Sequence, residues 1–171
     1  MDLEFGLERM ALTVISNRFV LLTGGQRLSD RRTLIGSASE LTFFFDAVTG
    51  EWDLDPKWPD LVKPRFNHGS CSSSTNAFVF GGHFHRHSLL RDIELLSLYT
   101  KEGDFLCRTL PKEWTNVWLP ISIGKINPLM ATVNDSCAII LAGTRHLTDT
   151  GSFTNHGTMF NPENPRNKSF M

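Results

Sequence analysis

The sequence lacks the features that mark secreted, membrane-spanning and zinc-ribbon proteins. It has three cysteines at wide spacing and no CxxC pair, which argues against a disulfide framework and favours a reducing compartment. No apolar run approaches the roughly 18 residues that a membrane helix requires. The N-terminal stretch MDLEFGLERM carries acids where a signal peptide has a basic head. We therefore expect a cytoplasmic, intracellular protein with no membrane partner.

An excess of charge of one sign is also missing. The chain has 17 Lys and Arg against 18 Asp and Glu, a formal net charge of -1, so its overall charge does not attract nucleic acid. The nearest approach to a basic cluster is RLSDRR, which contains Arg27, Arg31 and Arg32. No aromatic residue or glycine accompanies these arginines, and the stretch indicates a solvated loop. We expect no nucleic acid partner.

Motifs that carry known catalytic chemistry are absent from the sequence. It has no G-x-S-x-G elbow, phosphate-binding loop or dinucleotide fingerprint. His68 and Cys71 could suggest a Cys–His nucleophile pair, but both fall on one short predicted strand, where a structural role is favoured. The carboxylates of DAVTGEWDLD are better explained by turn chemistry than by catalysis. We expect no enzymatic activity and no cofactor.

What the sequence does have is an internal repeat. Three segments align on an apolar strand and the small pair that ends it: SNRFVLLTGG, STNAFVFGG and DSCAIILAG. The small pairs are Gly24-Gly25, Gly81-Gly82 and Ala142-Gly143. The glycines should allow a positive φ or close backbone approach where the second strand of each unit ends. A period of roughly 40–60 residues with several short strands per unit is typical of propeller blades.

A third strand, a turn and an aromatic follow the small pair. Phe45 and Trp52 are seven residues apart in LTFFFDAVTGEW, and Leu98 and Phe105 are seven apart in LLSLYTKEGDF. We expect Trp52 and Phe105 to fill the gaps between neighbouring sheets. The remaining tryptophans, Trp58, Trp114 and Trp118, are predicted to be packing residues on connecting segments.

The repeat predicts an all-β fold with blades of four antiparallel strands. Arg9 and Arg65 head the stretches that precede the first two small pairs, and the units are expected at residues 9–60, 61–124 and 125–171. About three blades form an incomplete ring, because closed propellers have 4–8 blades. Three explanations remain open: a piece of a longer protein, a truncated and non-functional fragment, or two copies that associate to give about six blades.

The stretches RFNHGSCSSSTNAFVFGG and FFFDAVTGEW resemble the Kelch repeat, and the resemblance extends from about Arg9 to Phe170. Its marks are the diglycine that closes the second strand and the spaced aromatic pair. The resemblance implies a Kelch-type propeller, in which His68 holds the place of a buried, strand-fixing histidine. It also implies a non-catalytic scaffold that binds another protein, in substrate recognition for ubiquitin ligases or in cytoskeletal binding.

The stretch GGHFHRHS places His83, His85 and His87 at alternate positions. In an extended chain these side chains would point the same way and could hold a metal ion. The diglycine instead predicts a loop after the second strand, so we expect a contact surface and no metal. A metal-binding protein or metal-dependent enzyme centred on the three histidines is the alternative.

Recognition is predicted to come from the loops that follow the second strands, because these loops vary while the strands repeat. The candidate contact residues are Arg27, Arg31, Arg32, His83, His85, Arg86, Arg145 and His146.

Overall fold

The chain folds into β-strands. A computed structural model describes residues 6–27, 37–53, 58–85, 88–98, 113–118, 127–134, 137–141, 143, 157–161 and 164–170. These residues contain strands and no helix, which confirms the all-β prediction. Within these ranges, then, there is no long apolar helix of the kind that crosses a bilayer.

Sixteen strands make up the described part of the fold. They are β1 (Leu7–Glu8), β2 (Ala11–Ile15), β3 (Phe19–Thr23), β4 (Gln26–Arg27), β5 (Thr42–Asp46), β6 (Glu51–Asp53), β7 (Gly69–Ser72), β8 (Asn76–Phe80), β9 (His83–His85), β10 (Ser88–Leu89), β11 (Asp92–Ser97), β12 (Thr115–Trp118), β13 (Leu129–Asn134), β14 (Cys137–Leu141), β15 (Gly157–Asn161) and β16 (Asn164–Phe170).

Twelve of these strands form three antiparallel sheets of four strands each. The first sheet has the order β2-β3-β5-β6, the second β7-β8-β11-β12 and the third β13-β14-β15-β16. Two short ribbons, β1 with β4 and β9 with β10, complete the pairing. Within each of the three sheets the strands are therefore arranged in chain order, and the predicted four-stranded unit occurs three times.

Alternation along the strands explains how the first sheet faces its neighbour. In β2 the side chains of Ala11, Thr13 and Ile15 are buried, and those between them are exposed. In β5 the same period of two buries Phe44 between half-buried neighbours. One face of the first sheet therefore packs against the second sheet, as expected for a strand with one covered face.

The three sheets meet through their first strands. The Thr13 hydroxyl donates to Ser70 Oγ at 2.6 Å, which joins β2 to β7. The Ser72 hydroxyl donates to the Val14 carbonyl at 2.6 Å, and the Thr132 hydroxyl donates to the Ser72 carbonyl at 2.8 Å. Strand β7 thus lies between β2 and β13, and the second sheet lies between the other two.

Two apolar clusters fill the spaces on either side of the second sheet. The cluster between the first and second sheets contains Ile15, Leu21, Phe44, Leu61, Ala77, Val79, Leu96, Leu98 and Trp114. The cluster between the second and third sheets contains Cys71, Phe78, Phe80, Ile93 and Ile140. Because β8 contributes to both clusters, its continuous apolar run is explained by burial on both faces.

The tryptophans near the second sheet differ from the sequence prediction. Trp118 ends β12 and Trp114 directly precedes it, so neither lies on a segment between units. Phe45 pairs with Trp52 in the first sheet. In the second sheet Leu95 pairs with Thr115, which places Trp114 opposite Leu96. Trp114 is therefore the equivalent of Trp52, and Leu96 is the equivalent of Phe45. The predicted equivalence of Leu98 with Phe45 is therefore wrong by two residues, because more residues separate β11 from β12 than separate β5 from β6. Phe105 lies outside the described residues.

Three residues with left-handed backbone occupy one repeated position, two residues before each first strand. They are Arg9 (φ 59°), Asn67 (φ 54°) and Asn127 (φ 48°). The Asn67 amide donates to the Arg9 carbonyl at 3.1 Å, and the Asn127 amide donates to the Asn67 carbonyl at 2.8 Å. We call these two bonds the backbone ladder. The equivalent of Arg9 is thus Asn67, whereas the sequence comparison aligned Arg9 with Arg65.

The turn between β5 and β6 is held by an ion pair. Arg18 donates from Nε to Asp46 Oδ1 at 2.9 Å and from Nη2 to Oδ2 at 2.5 Å. Asp46 Oδ1 also accepts from the Val48 amide at 2.9 Å. The Arg18 hydrogen bonds lower the pKa of the Asp46 carboxyl to about 2, which agrees with the turn role predicted for this residue.

Candidate recognition surface

The candidate surface lies where the second strands end and the small pairs follow. Beyond Gly24-Gly25 the chain forms the β1/β4 ribbon, and beyond Gly81-Gly82 it forms the β9/β10 ribbon. We call this side of the molecule the diglycine end. A bridge between Phe66 and His83 joins the second ribbon to the segment that precedes β7.

Positive φ angles and close backbone contacts explain the glycines at this end. Gly24 has φ of 62° and Gly82 has φ of 82°, a region that disfavours residues with a Cβ. A Cβ on Gly24 would collide with the Arg65 carbonyl, and one on Gly82 would lie 2.5 Å from the Phe66 carbonyl. The predicted role of the diglycine is confirmed at both pairs. Gly143 also has positive φ, at 99°.

His68 is a buried structural residue beneath the surface. Its Nε2 lies 3.0 Å from the Thr23 hydroxyl, which connects the segment before β7 to the first sheet. Burial, reinforced by the charge of Arg65, lowers the pKa of the His68 imidazole to about 3. The ring is therefore neutral at physiological pH, in agreement with the strand-fixing role expected from the sequence.

Cys71 is equally unsuited to nucleophilic chemistry. Its side chain packs with Phe78, Phe80, Ile93 and Ile140 between the second and third sheets. Burial raises the pKa of the thiol to about 12, so it stays protonated.

A buried ion cluster fixes the platform under the diglycine end. Arg65 is fully buried and donates from Nη2 to Glu94 Oε1 and from Nη1 to the Gly81 carbonyl at 3.0 Å. Lys63 Nζ lies 2.7 Å from Asp92 Oδ2. Burial raises the pKa of the Asp92 carboxyl, but the charge of Arg65, the charge and hydrogen bond of Lys63 and the hydrogen bond of Asn116 together outweigh it, so the net shift is downward. The cluster binds the connecting segment to β11 and leaves little freedom at this end.

The histidine strip differs from the prediction of an irregular loop. His83 and His85 lie on β9, and His83 is only 2% exposed. The His83 ring stacks on Phe66 with centroids 5.4 Å apart, and its Nδ1 lies 3.2 Å from the His85 carbonyl. The bridge to Phe66 and the stacking on the Phe66 ring bury His83. His83 therefore belongs to the base of the surface, and the prediction that it is a contact residue is wrong.

The exposed layer lies above this base. Arg9 Cζ lies over the Phe66 ring, 6.0 Å from its centroid, so Arg9 and His83 both lie against Phe66. Arg9 also donates from Nη1 to Gln26 Oε1 at 3.1 Å and pairs with Glu8 at 3.4 Å. These contacts tie the first ribbon to the segment before the second sheet.

Phe84 and His85 are the exposed members of the second ribbon. Phe84 is 37% exposed, and its ring centroid lies 4.0 Å from that of His85. We define the recognition surface as Glu8, Arg9, Gln26, Phe84 and His85. Only His85 of this set was among the predicted contact residues. Phe84 could have been found from the sequence, because it stands between His83 and His85 in the segment after the diglycine that the repeat assigns to the surface.

The other predicted contact residues are placed as follows. Arg27 is half-buried in β4, beside the surface. Arg31, Arg32, Arg86, His87, Arg145 and His146 lie outside the described residues. In the described part of the chain, no three His, Cys, Asp or Glu side chains converge as metal ligands would.

No protein-family model matches the chain, and no curated protein matches it.

Proposed function

We propose that the chain is a non-catalytic protein-interaction module of the Kelch type, in which antiparallel sheets serve as propeller blades and the diglycine end binds another protein. Three four-stranded sheets that meet through their first strands support this proposal, because blades are arranged in this way around a propeller axis. The repeated backbone ladder at one end of the first strands supports it further.

The observation that carries the proposal is the exposed pair Phe84 and His85 on a ribbon with a buried base. The aromatic ring is presented on β9, and His83 on the same strand is buried and stacked on Phe66. An aromatic side chain on a rigid base loses little freedom when it is covered, which is the property of residues that dominate protein interfaces.

The surrounding charges favour a polypeptide as the partner. Arg9, Glu8 and Gln26 place both signs of charge and an amide close together. A surface of this kind can pair with the mixed donors and acceptors of a protein chain. The net charge of the whole chain is -1. The protein therefore does not provide the basic electrostatic field that nucleic acid binding requires.

The Kelch resemblance narrows the role to two kinds of activity inside the cell. One is substrate recognition for a ubiquitin ligase, and the other is scaffolding on the cytoskeleton. Both need a surface that binds one protein while the rest of the fold stays rigid, and neither needs a nucleophile. The buried states of His68 and Cys71 agree with that requirement.

The test is affinity capture from a cytosolic extract with variants that change one exposed side chain. Phe84→Ser removes the aromatic of the surface. Val48→Ser is the matched control, since Val48 is 73% exposed in the turn between β5 and β6, away from the diglycine end. We expect specific proteins to be retained by the unsubstituted chain and by V48S, and to be reduced at least tenfold with F84S.

Equal retention by F84S and the unsubstituted chain would contradict the proposed surface, provided that both variants keep the same circular dichroism spectrum. Loss of the same proteins with V48S would also contradict it, because binding would then not depend on the diglycine end.

A further inference from the structure

The outward face of the first sheet is apolar and partly open to solvent. This face, which we call the open face, points away from the second sheet and consists of Leu12, Val14, Val20, Leu22, Phe43, Phe45 and Trp52. Leu12 is 60% exposed, Val14 53% and Trp52 38%. Exposed apolar surface of this kind on an ordered sheet usually marks a contact with another protein surface.

Strand register joins these side chains into two continuous rows. One row runs Leu12–Leu22–Phe43 and the other Val14–Val20–Phe45–Trp52. Trp52 packs on Phe45 with ring centroids 5.1 Å apart and on Phe43 at 6.4 Å. The side chains of the open face therefore pack on one another and form one continuous apolar surface.

The equivalent face of the second sheet is covered by the first sheet. Trp114, which holds the place of Trp52, is 3% exposed. Ala77 and Val79 precede their diglycine by the same number of residues as Val20 and Leu22, and each is 1% exposed. The fold thus shows what covers such a face. It is the opposite face of another sheet, which in the first sheet bears Ala11, Thr13 and Ile15. We call this face of a sheet its forward face.

Among the residues that the structure describes, the first strand of the third sheet exposes its side chains on the corresponding face. Leu129 is 66% exposed, and Ala131 is exposed. Their equivalents in the first sheet are Ala11 and Thr13, which are 8% and 6% exposed at the junction with the second sheet. The chain therefore carries both halves of one type of junction, one on its first sheet and one on its third.

We propose that a second copy of this chain covers the open face. The first sheet of each copy packs on the third sheet of the other, which gives two identical junctions related by a twofold axis. Such a pairing of unlike faces closes when the rotation between sheets is suitable. Two copies then supply six sheets, within the 4–8 blades of closed propellers.

The side chains at the proposed junction match in polarity. At the junction between the first and second sheets, the second sheet contributes Ser70 and Ser72 to the contact. Glu94, on the same face of the second sheet, accepts from the amides of Val62 and Lys63 in the connecting segment. The first sheet has Leu12, Val14 and Phe43 at these positions, so the open face is suited to the apolar Leu129 and Ala131.

Leu129 is larger than Ala11 and Gly69, which hold the equivalent positions in the first and second sheets. Gly69, its equivalent in the second sheet, has the Pro128 carbonyl 2.6 Å from where a Cβ would stand. The junction between copies is therefore wider at this point, with Leu129 placed between Met10 and Leu12 of the other copy. Met10 is 37% exposed in the single chain, as this arrangement requires.

The dimer does not depend on the recognition surface. The junction uses the two outward sheet faces, whereas partner binding uses the side chains of the ribbons at the diglycine end. Loss of one activity would leave the other unchanged.

Sedimentation velocity of the full chain over a hundredfold range of concentration tests the proposal. We expect a species of twice the 19.3 kDa chain mass that dissociates on dilution. Val14→Lys on the open face and Leu129→Lys on the third sheet should each weaken dimerisation at least tenfold. Val48→Lys, at a 73% exposed turn position outside both faces, should dimerise like the unsubstituted chain.

Mixing the variants distinguishes the arrangement of the faces. A pair made of one V14K chain and one L129K chain has one junction without a substitution, so the mixture should form dimers at concentrations where each variant alone is monomeric. If two open faces packed on each other, L129K would dimerise normally, and that result would overturn the proposal.

A monomeric mass for the folded, unsubstituted chain at all concentrations would also overturn it. The open face would then be covered by sheets outside this chain or by another protein. Circular dichroism of each variant checks that its strands are retained, and the unsubstituted chain decides the question even if a variant unfolds.

Discussion

His68 shows how one buried side chain makes the fold sensitive to acid. Its pKa is lowered from 6.5 to about 3 in the folded state, so the unfolded chain binds a proton between these values and the folded chain does not. Stability therefore decreases as the pH falls below about 6.5 and stops decreasing through this residue below about pH 3.

We predict that the free energy of unfolding falls by about 2 kcal/mol from His68 alone between pH 7.5 and pH 5, at about 1.4 kcal/mol per unit of pKa shift. Urea unfolding at the two pH values measures it. His68→Asn should remove most of this dependence while lowering stability at pH 7.5, and His85→Asn, at an exposed position, should leave the dependence intact. An unchanged pH profile for H68N would contradict the assignment.

Some side-chain environments could be predicted from the sequence and others could not. The buried role of His68 could be predicted, because a histidine beside a repeated glycine motif resembles a known structural position. The burial of His83 could not, since it depends on stacking against Phe66, which is 17 residues away in the sequence. The stack of Arg9 on Phe66 depends on the contact between two sheets and has no local signal.

Among the elements, the junction between the first and second sheets depends on the end of β3. Gly24 combines positive φ with a backbone neighbour, the Arg65 carbonyl, where a Cβ would stand. Gly50, in the turn between β5 and β6, has φ of 72° and nothing within 4 Å of such a Cβ. Substitution at Gly50 therefore measures the energetic cost of positive φ for a residue with a Cβ. Substitution at Gly24 adds the cost of the steric clash with the neighbouring backbone.

We predict that Gly50→Ala lowers the free energy of unfolding by about 1 kcal/mol, the cost of left-handed backbone for a residue with a Cβ. Gly24→Ala should cost about 3 kcal/mol, because steric overlap with the neighbouring backbone adds to the same term. Chemical unfolding of both variants measures the difference. Equal losses would mean that the close approach at Gly24 relaxes without cost.

The four-stranded units could be predicted because the alternation and the diglycine are local features. The position of β12 could not, because more residues separate β11 from β12 than separate β5 from β6. KEGDF resembles VTGEW, yet the register of β11 places the fourth strand at Thr115–Trp118. A turn motif identifies a reversal of the chain, whereas hydrogen bonding between strands decides which residues pair.

In the whole molecule, the first sheet meets the second and the second meets the third through the same kind of hydrogen bond. The proposed junction between copies lacks this hydrogen bond. The Ser72 and Thr132 hydroxyls each donate to the carbonyl of the equivalent residue in the preceding sheet, at 2.6 and 2.8 Å. The equivalent residue of the first sheet is Val14, which has no hydroxyl. The junction between copies therefore depends on apolar contact alone at this position.

We predict that Val14→Thr strengthens the dimer, because its hydroxyl can donate to the Thr132 carbonyl of the other copy. A hydrogen bond contributes about 0.5–1.5 kcal/mol, and two junctions would lower the dissociation constant by a factor of about 5 to about 150. Sedimentation equilibrium measures the constant. Val14→Ala, which shortens the side chain without adding a donor, is the control and should weaken association.

The backbone ladder restricts how a chain of this kind can change in length. Each bond runs from the amide of the later sheet to the carbonyl of the earlier one, from Asn127 to Asn67 and from Asn67 to Arg9. The array is therefore polar, with a head and a tail that cannot be exchanged. Duplication of one whole unit would insert a sheet that already fits both neighbours, whereas an unrelated insertion at the same point would interrupt the series. Growth in whole units is thus the route that this backbone permits.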